Sequence, residues 1–459
     1  MKSDSTFLGT EKIGKLLFKL SLPAITAQLV NMMYNLVDRI FIGHIPDEGT
    51  MALTGVGVCM PIILLISAFA ALVSMGSAPR ASIYMGKGDN DTAEKILGNS
   101  FVMLFGVGVI LSIVISIFGK NLLMLFGASE NTIGYSISYL RIYVLGTVFV
   151  QLAMGLNAFI TAQGFAKIGM YSVLVGAVCN IILDPILIFA CDMGVAGAAL
   201  ATIISQAVSA AWVIYFLCGK QTVLKLKREN FRLKREVVLP CIVLGLAPFI
   251  MQATESLISI CFNASLLKYG GDIAVGGMTI LTSVMQFSLL PLVGLTQGAQ
   301  PIISYNFGAK NIQRVKEAFL TVLKCCLAFS TVMWLLIMLI PQIFAGIFTP
   351  DTELIAFTAN AMHIYFAVSL LFGIQLACQQ TFIAIGNAKT SLFLAVLRKI
   401  ILLIPLIYIL PMILTNKTNA VYMAEPIADL IAVCVTGTMF IIQFRKILKC
   451  TEGINKICD

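Results

Sequence analysis

The chain has 459 residues, 59% of them hydrophobic and only 12% charged. So few charges cannot cover a soluble surface of that size, which excludes a soluble domain and points to a polytopic membrane protein. The net charge of +9 follows a membrane-orientation pattern and does not form a nucleic-acid-binding patch.

The start of the chain is polar and basic (Lys2, Lys12, Lys15, Lys19) and runs directly into a full-length apolar segment. No small-residue cleavage site follows a short apolar region, so no removable signal is expected. Twelve apolar segments are expected to span the bilayer: 16–43, 52–78, 96–118, 137–163, 168–190, 194–217, 237–266, 273–299, 318–343, 357–385, 390–413 and 420–444. Each is near or above the roughly 20 residues that a spanning helix needs. With the N-terminus inside, the loops and termini on that side carry 23 Lys and Arg, and the opposite side carries Lys120, Lys268 and Lys417. This bias predicts cytoplasmic termini and a cytoplasmic central loop. Five further cations (Arg39, Arg141, Lys324, Arg398, Lys399) fall in or at the edges of segments.

In the first segment Gln28, Asn31, Asn35 and Asp38 follow spacings of three, four and three. On a helix they share one face. A carboxylate inside a span costs roughly 2.5–3.5 kcal/mol on insertion scales, and such groups pair, face a cavity or handle cations. Gly55-Val-Gly57 and Gly106-Val-Gly108 read as close-packing glycines, with no preceding strand to make a dinucleotide site.

In the fifth segment Asn180 and Asp184 stand four apart, before Pro185. The proline leaves the carbonyl of Ile181 without its helical donor. An acid beside a freed carbonyl is a candidate site for a proton or small cation. Thr202, Gln206 and Ser209 form a polar line in the sixth segment, and Thr202 is a candidate supplementary oxygen. The seventh segment places Pro248, Gln252, Glu255, Ser259 and Asn263 on one face. Glu255 reads as the one strongly buried acid of the second half. Gln286, Gln375, Gln379 and Gln380 are weaker candidates for a cavity wall or for helix bridging. Met32, Met33, Met154, Met251 and Met285 accompany the polar faces, and a Met-rich wall suits varied apolar ligands.

The twelve cysteines show no CxxC pair and read as small packing residues. His44 and His363 show no metal or triad spacing, which argues against an enzyme. His363 is expected at the outer end of the tenth span.

The two halves repeat. Pro79–Gly86 recurs as Pro301–Gly308, and Gly164-Phe-Ala-Lys167 as Gly386-Asn-Ala-Lys389, at an offset of 222; Pro23 pairs with Pro248 at 225. Six helices per half is even, so the repeats are parallel, with a cleft between halves suited to rocking alternating access. The expected division is a first lobe at 1–217, a basic cytoplasmic linker at 218–236, a second lobe at 237–444 and a cytoplasmic tail at 445–459. The fold class is all-α, integral to the membrane.

These features, with the stretch Pro291–Pro301 and Asn306-Phe-Gly308-Ala309, resemble the multidrug and toxic compound extrusion (MATE) family over nearly the whole chain. The resemblance implies an antiporter in the cell membrane that expels cationic amphipathic drugs in exchange for protons or sodium. It implies an N-lobe cation site of Asp38, Asn180, Asp184 and Thr202, which would also be the metal ligands if sodium is the coupling ion. Glu255 resembles the family's seventh-helix acid, for a second site or for substrate. Gln28, Asn31, Tyr34, Asn35, Gln252, Met285, Gln286 and Gln375 are the expected cavity residues. The tenth segment holds no acid where sodium-binding relatives place an aspartate; Gln375 lies near that place. The N-lobe is therefore the expected coupling site, as in the family's DinF-like branch. No cofactor beyond the coupling ion is expected, and the expected unit is a monomer. The alternative is a lipid-linked oligosaccharide flippase of related fold, which would need cations such as Arg39, Arg141 and Lys324 in its cavity.

Overall fold

The structure is a computed structural model; it describes residues 6–46 and 48–451, without the side chains of 445 and 447–451. Lys2, Lys456 and the side chains of Arg445 and Lys449 lie outside the described residues. The described residues are almost entirely helical, and twelve apolar helices account for most of them. In chain order α1 is Ile13–Gly43, α2 Gly49–Gly86, α3 Asn90–Leu125, and α4 the pair Ile133–Leu145 and Thr147–Ala162. Next come α5 (Ala166–Pro185, continued by a π turn at Ile186–Ala190) and α6 (Gly194–Cys218). α7 and α8 share the long element Arg235–Gly308 and part at Gly271, whose φ of 66° only glycine adopts without strain. α9 is Ile312–Leu339, and α10 the pair Thr352–Tyr365 and Phe372–Ala384. α11 runs Ala388–Val396, through a π turn at Leu397–Leu403, into Ile404–Ile413, and α12 is Lys417–Thr451.

Most helices outrun the expected segments, because polar helical turns extend past the apolar core. Two expected continuous spans are broken. α4 bends by 57° at Gly146 and α10 by 51° at 366–371. These two helices are repeat mates, so the break belongs to the fold. At Gly146 a side chain would run into Ile203, at 2.4 Å. His363 stands in the last turn of the first segment of α10, just before the bend, and is exposed.

α1 and α7 exchange halves. Ile13, Leu16, Leu17 and Leu20 at the start of α1 belong to the core of the second half, whereas Ile42 near its end belongs to the first. α7 reverses this: Cys241 packs with the first half, and Ile258, Cys261 and Phe262 with the second. The halves touch closely where α2 meets α7 and α8. An added methyl on Gly76, Gly86, Gly245 or Gly308 would strike a backbone oxygen at 2.0, 2.0, 1.7 and 1.9 Å. Ser82 donates to the Pro301 carbonyl (3.4 Å), Ser21 to that of Leu295 (3.0 Å), and Gln28 to Gln297 (2.9 Å). All these contacts lie in the half of the molecule that carries the N-terminus and the central linker.

That linker is bound to the first half at several points. Gln163 Oε1 accepts from the Thr222 hydroxyl and from the amides of Val223 and Leu224. Glu94 accepts from the Lys225 amide and pairs with Lys227 at 2.5 Å, which holds the Lys227 ammonium above its ordinary pKa. Asn99 bonds Asn230 and Lys234, and Phe231 stacks on Phe101 with centroids 4.9 Å apart.

Candidate functional site

The first group of intramembrane polar residues gathers α1, α5 and α6. The i, i+4 spacing in α5 turns Asn180 and Asp184 to one side, where Asn180 Nδ2 donates to Asp184 Oδ1 at 3.1 Å. The carboxyl of Asp38, from α1, lies beside that of Asp184, near enough for the two to act on each other's charge. Both acids and Asn180 are buried. Three of their oxygens have no partner among the described residues: Asp38 Oδ1, Asn180 Oδ1 and Asp184 Oδ2. Buried oxygens without donors are costly. A proton between the carboxyls, or a small cation taking the three oxygens, satisfies them.

Thr202 of α6 is also buried and donates to the Ala198 carbonyl at 3.0 Å. It is linked to the site by Tyr139 of α4, which stands close to both Thr202 and Asp38. Tyr34 stands beside the two acids, with Asn35 and Gln206 close by. It therefore belongs to the wall of the acid pair as much as to a cavity. Tyr139 has no sequence signal of its own; it arrives through the tertiary packing of α4, stacked on Tyr143 with centroids 5.8 Å apart.

The second group lies in the other half and corrects the expectation for Glu255. Glu255 is not its only intramembrane acid: Glu425 and Asp429, four apart in α12, are buried at 4% exposure each. Arg398 of α11 holds both, at 2.6 Å to Asp429 and 3.4 Å to Glu425. Lys399, the next residue, bonds Glu255 Oε1 at 2.8 Å. Glu255 is itself half-exposed. The remaining expected cavity residues are dispersed. Gln28 bridges to Gln297 between halves; Asn35 donates to the Asn31 carbonyl (2.6 Å) and is exposed, as is Gln286. Gln375 is buried and donates to Gln379 (3.3 Å), which in turn reaches the Met251 sulfur (3.0 Å). Gln252 is half-buried and Met285 buried. A recess of about 450 Å³ beside α7 and α8 is lined by Ile260, Asn263, Ala264, Leu267, Asp272 and Val275. Asn263 continues the Glu255 face of α7.

The MatE family model matches twice, over residues 23–186 and 248–409. The two matches begin at the 225-residue offset that pairs Pro23 with Pro248. The chain belongs to the MatE family. As a member it is a multi-pass membrane transporter and not an enzyme. It is similar to the multidrug export protein MepA of Staphylococcus aureus (strain N315), 27% identical over 92% of this chain and 93% of that protein. MepA of Staphylococcus haemolyticus is 26% identical over 96% of each. Among solved structures, the MATE multidrug transporter DinF-BH is 34% identical, covers 98% of this chain and 99% of its own, and superposes with a TM-score of 0.89. A MATE structure in the bent conformation shares the fold, with a TM-score of 0.92 at 22% identity over 98% of this chain and 100% of its own. The twelve-helix MATE fold is therefore this chain's fold.

Proposed function

We propose that this transporter exports cationic, amphipathic drugs from the cytoplasm across the plasma membrane in exchange for protons or sodium, by alternating access. The observation that carries the reading is the pair Asp38 and Asp184 in contact, with three buried oxygens lacking partners. Two carboxyls that close resist joint ionisation, so the pair suits one exchangeable cation. Asn180 orients Asp184, Tyr34 walls the pair, and Thr202 with Tyr139 supports it from α6 and α4. Sodium would take oxygens of Asp38, Asn180, Asp184 and Thr202; a proton needs only the two carboxyls. Asp38 sits on α1, the helix that joins the two halves at its start, so loading the site acts on a helix shared by both lobes. The ion drives the switch only through differential affinity for the two states.

The Lys and Arg bias supports cytoplasmic termini. With that orientation the close contacts of α2 with α7 and α8 fall on the cytoplasmic side, which supports a state closed toward the cytoplasm. Similarity to MepA, a multidrug export protein, and to DinF-BH, a multidrug transporter, supports a drug as cargo. The 34% identity to DinF-BH supports that branch. The protein is taken to work as a monomer in the bilayer, without nucleic acid or cofactor. The flippase alternative has less support, because the buried cations Arg398 and Lys399 are bound to acids. The test is rhodamine dye transport in proteoliposomes, with proton and sodium gradients imposed separately. Transport driven by at least one gradient is expected; no dye movement under either would overturn the reading.

A further inference from the structure

The charge group of the second half differs from the acid pair of the first half in that its acids form direct ion pairs. It carries its own cations. Arg398 is committed: Asp429 holds it at 2.6 Å, Glu425 reaches it at 3.4 Å, and it lies over the Phe372 ring at 5.6 Å. Lys399 is held differently. Its side chain is 8% exposed, and its bond to Glu255 is the contact that joins it to the open side, where Glu255 is 54% exposed. Both cations sit in the π turn Leu397–Leu403, a wide turn of the kind often found at functional sites. Glu425, the acid that Arg398 holds less closely, is within electrostatic range of Lys399.

We propose that Lys399 is a tethered counter-ion for Glu255 which an organic cation displaces when it binds, and that Glu425 receives the displaced ammonium. The inference rests on the drug-export reading for its class of ligand. Glu255 offers one half-exposed carboxylate, and Lys399 and an incoming ammonium or phosphonium compete for it. The exchange brings the group into charge balance. Before binding, Lys399 neutralises Glu255 and Arg398 neutralises Asp429, which leaves one surplus negative charge near Glu425. After binding, the substrate neutralises Glu255 and Lys399 neutralises Glu425. The surplus charge makes room for a singly charged cargo, and once it is bound each acid of the group has a cation of its own, the arrangement that buried charges favour. Lysine suits the part: it is a compact charge on a flexible stem, whereas arginine's fork stays where two acids fix it.

The test is equilibrium binding of tetraphenylphosphonium to the purified full-length protein at constant pH and ionic strength. Removing the internal competitor, in Lys399→Met, is expected to tighten binding about tenfold, the scale of a partly desolvated ion pair. The gain should vanish in Glu255→Gln/Lys399→Met, which lacks both partners and so also controls for folding. Glu425→Gln, which removes the receiving acid, should weaken binding several-fold while Glu255 remains intact. Thermal melting of each variant reports its fold. If Lys399→Met binds no more tightly than wild type, or if the gain persists without Glu255, the inference is overturned. Binding by the wild type with no effect of Lys399→Met overturns the inference alone; no binding by any form overturns the drug-export reading with it.

Discussion

Gly245 offers a direct mechanical test of the contact between the halves. An added Cβ there would stand 1.7 Å from the Leu72 carbonyl oxygen. That oxygen is backbone in the middle of α2, so no side chain can swing aside. Ordinary contact requires the helices to part by about 1.5–2 Å. Overpacking of this kind costs about 1–3 kcal/mol, and only the conformation with α2 against α7 bears it. The alternative conformation, with this contact broken, gains by the same amount, a population shift of about 5- to 150-fold. The helix-propensity gain of alanine over glycine applies to both conformations and cancels. The readout is alkylation of Cys241, fully buried at this junction, followed by mass spectrometry of its peptide. Gly245→Ala should raise the labelling rate at least fivefold and slow dye efflux. Gly57→Ala is the control, because an added methyl there meets nothing within 4 Å. Unchanged labelling and efflux in Gly245→Ala would refute the idea that this contact closes one state of the cycle.

Three other outcomes are expected. Asp184→Asn keeps the shape of the site but removes one carboxylate; dye efflux in vesicles should fall by about 100-fold with surface expression intact, since an acid that carries the coupling ion has no substitute. Gln163→Ala leaves one hydroxyl and two amides of the linker without their acceptor, and thermal unfolding should show a loss of about 1–3 kcal/mol. Asp89 caps α3 by accepting from the Thr92 amide at 3.0 Å, and those Thr92 bonds hold its carboxyl below the usual carboxylate range. A depressed folded value means that the cap stabilises above the ordinary carboxylate range, near pH 4, and fades as pH falls through the lower folded value. The melting difference between wild type and Asp89→Ala should therefore be full at pH 7 and shrink on acidification.

The twelve helices and the parallel repeat are legible in the sequence, because each rests on local spacing or on one register; the convergence of α1 with α5 follows only from the family resemblance, since no spacing links residues so far apart. Asn180 and Asp184 need only the helical period to face the same way. Tyr139 carries no such mark; packing alone brings it to Thr202. The breaks in α4 and α10 contain no proline, so composition reads them as continuous. The linker looks like a solvated basic loop, and its binding depends on Gln163, Glu94 and Asn99 from distant helices. Glu425 and Asp429 do show the i, i+4 signature of a polar face within the twelfth apolar segment. Their partner Arg398 lies some thirty residues back, in another helix, and sequence spacing does not reveal such a pair.

The most direct test of the account is the count of coupling ions released when drug binds. Purified protein would be titrated with rhodamine dye in weakly buffered solution, with proton release followed by a pH indicator and sodium release by equilibrium dialysis of radioactive sodium. Release of one or the other ion on dye binding, abolished in Asp38→Asn/Asp184→Asn, is the predicted result. Dye binding that displaces neither ion, or displacement that persists in the double variant, would contradict it.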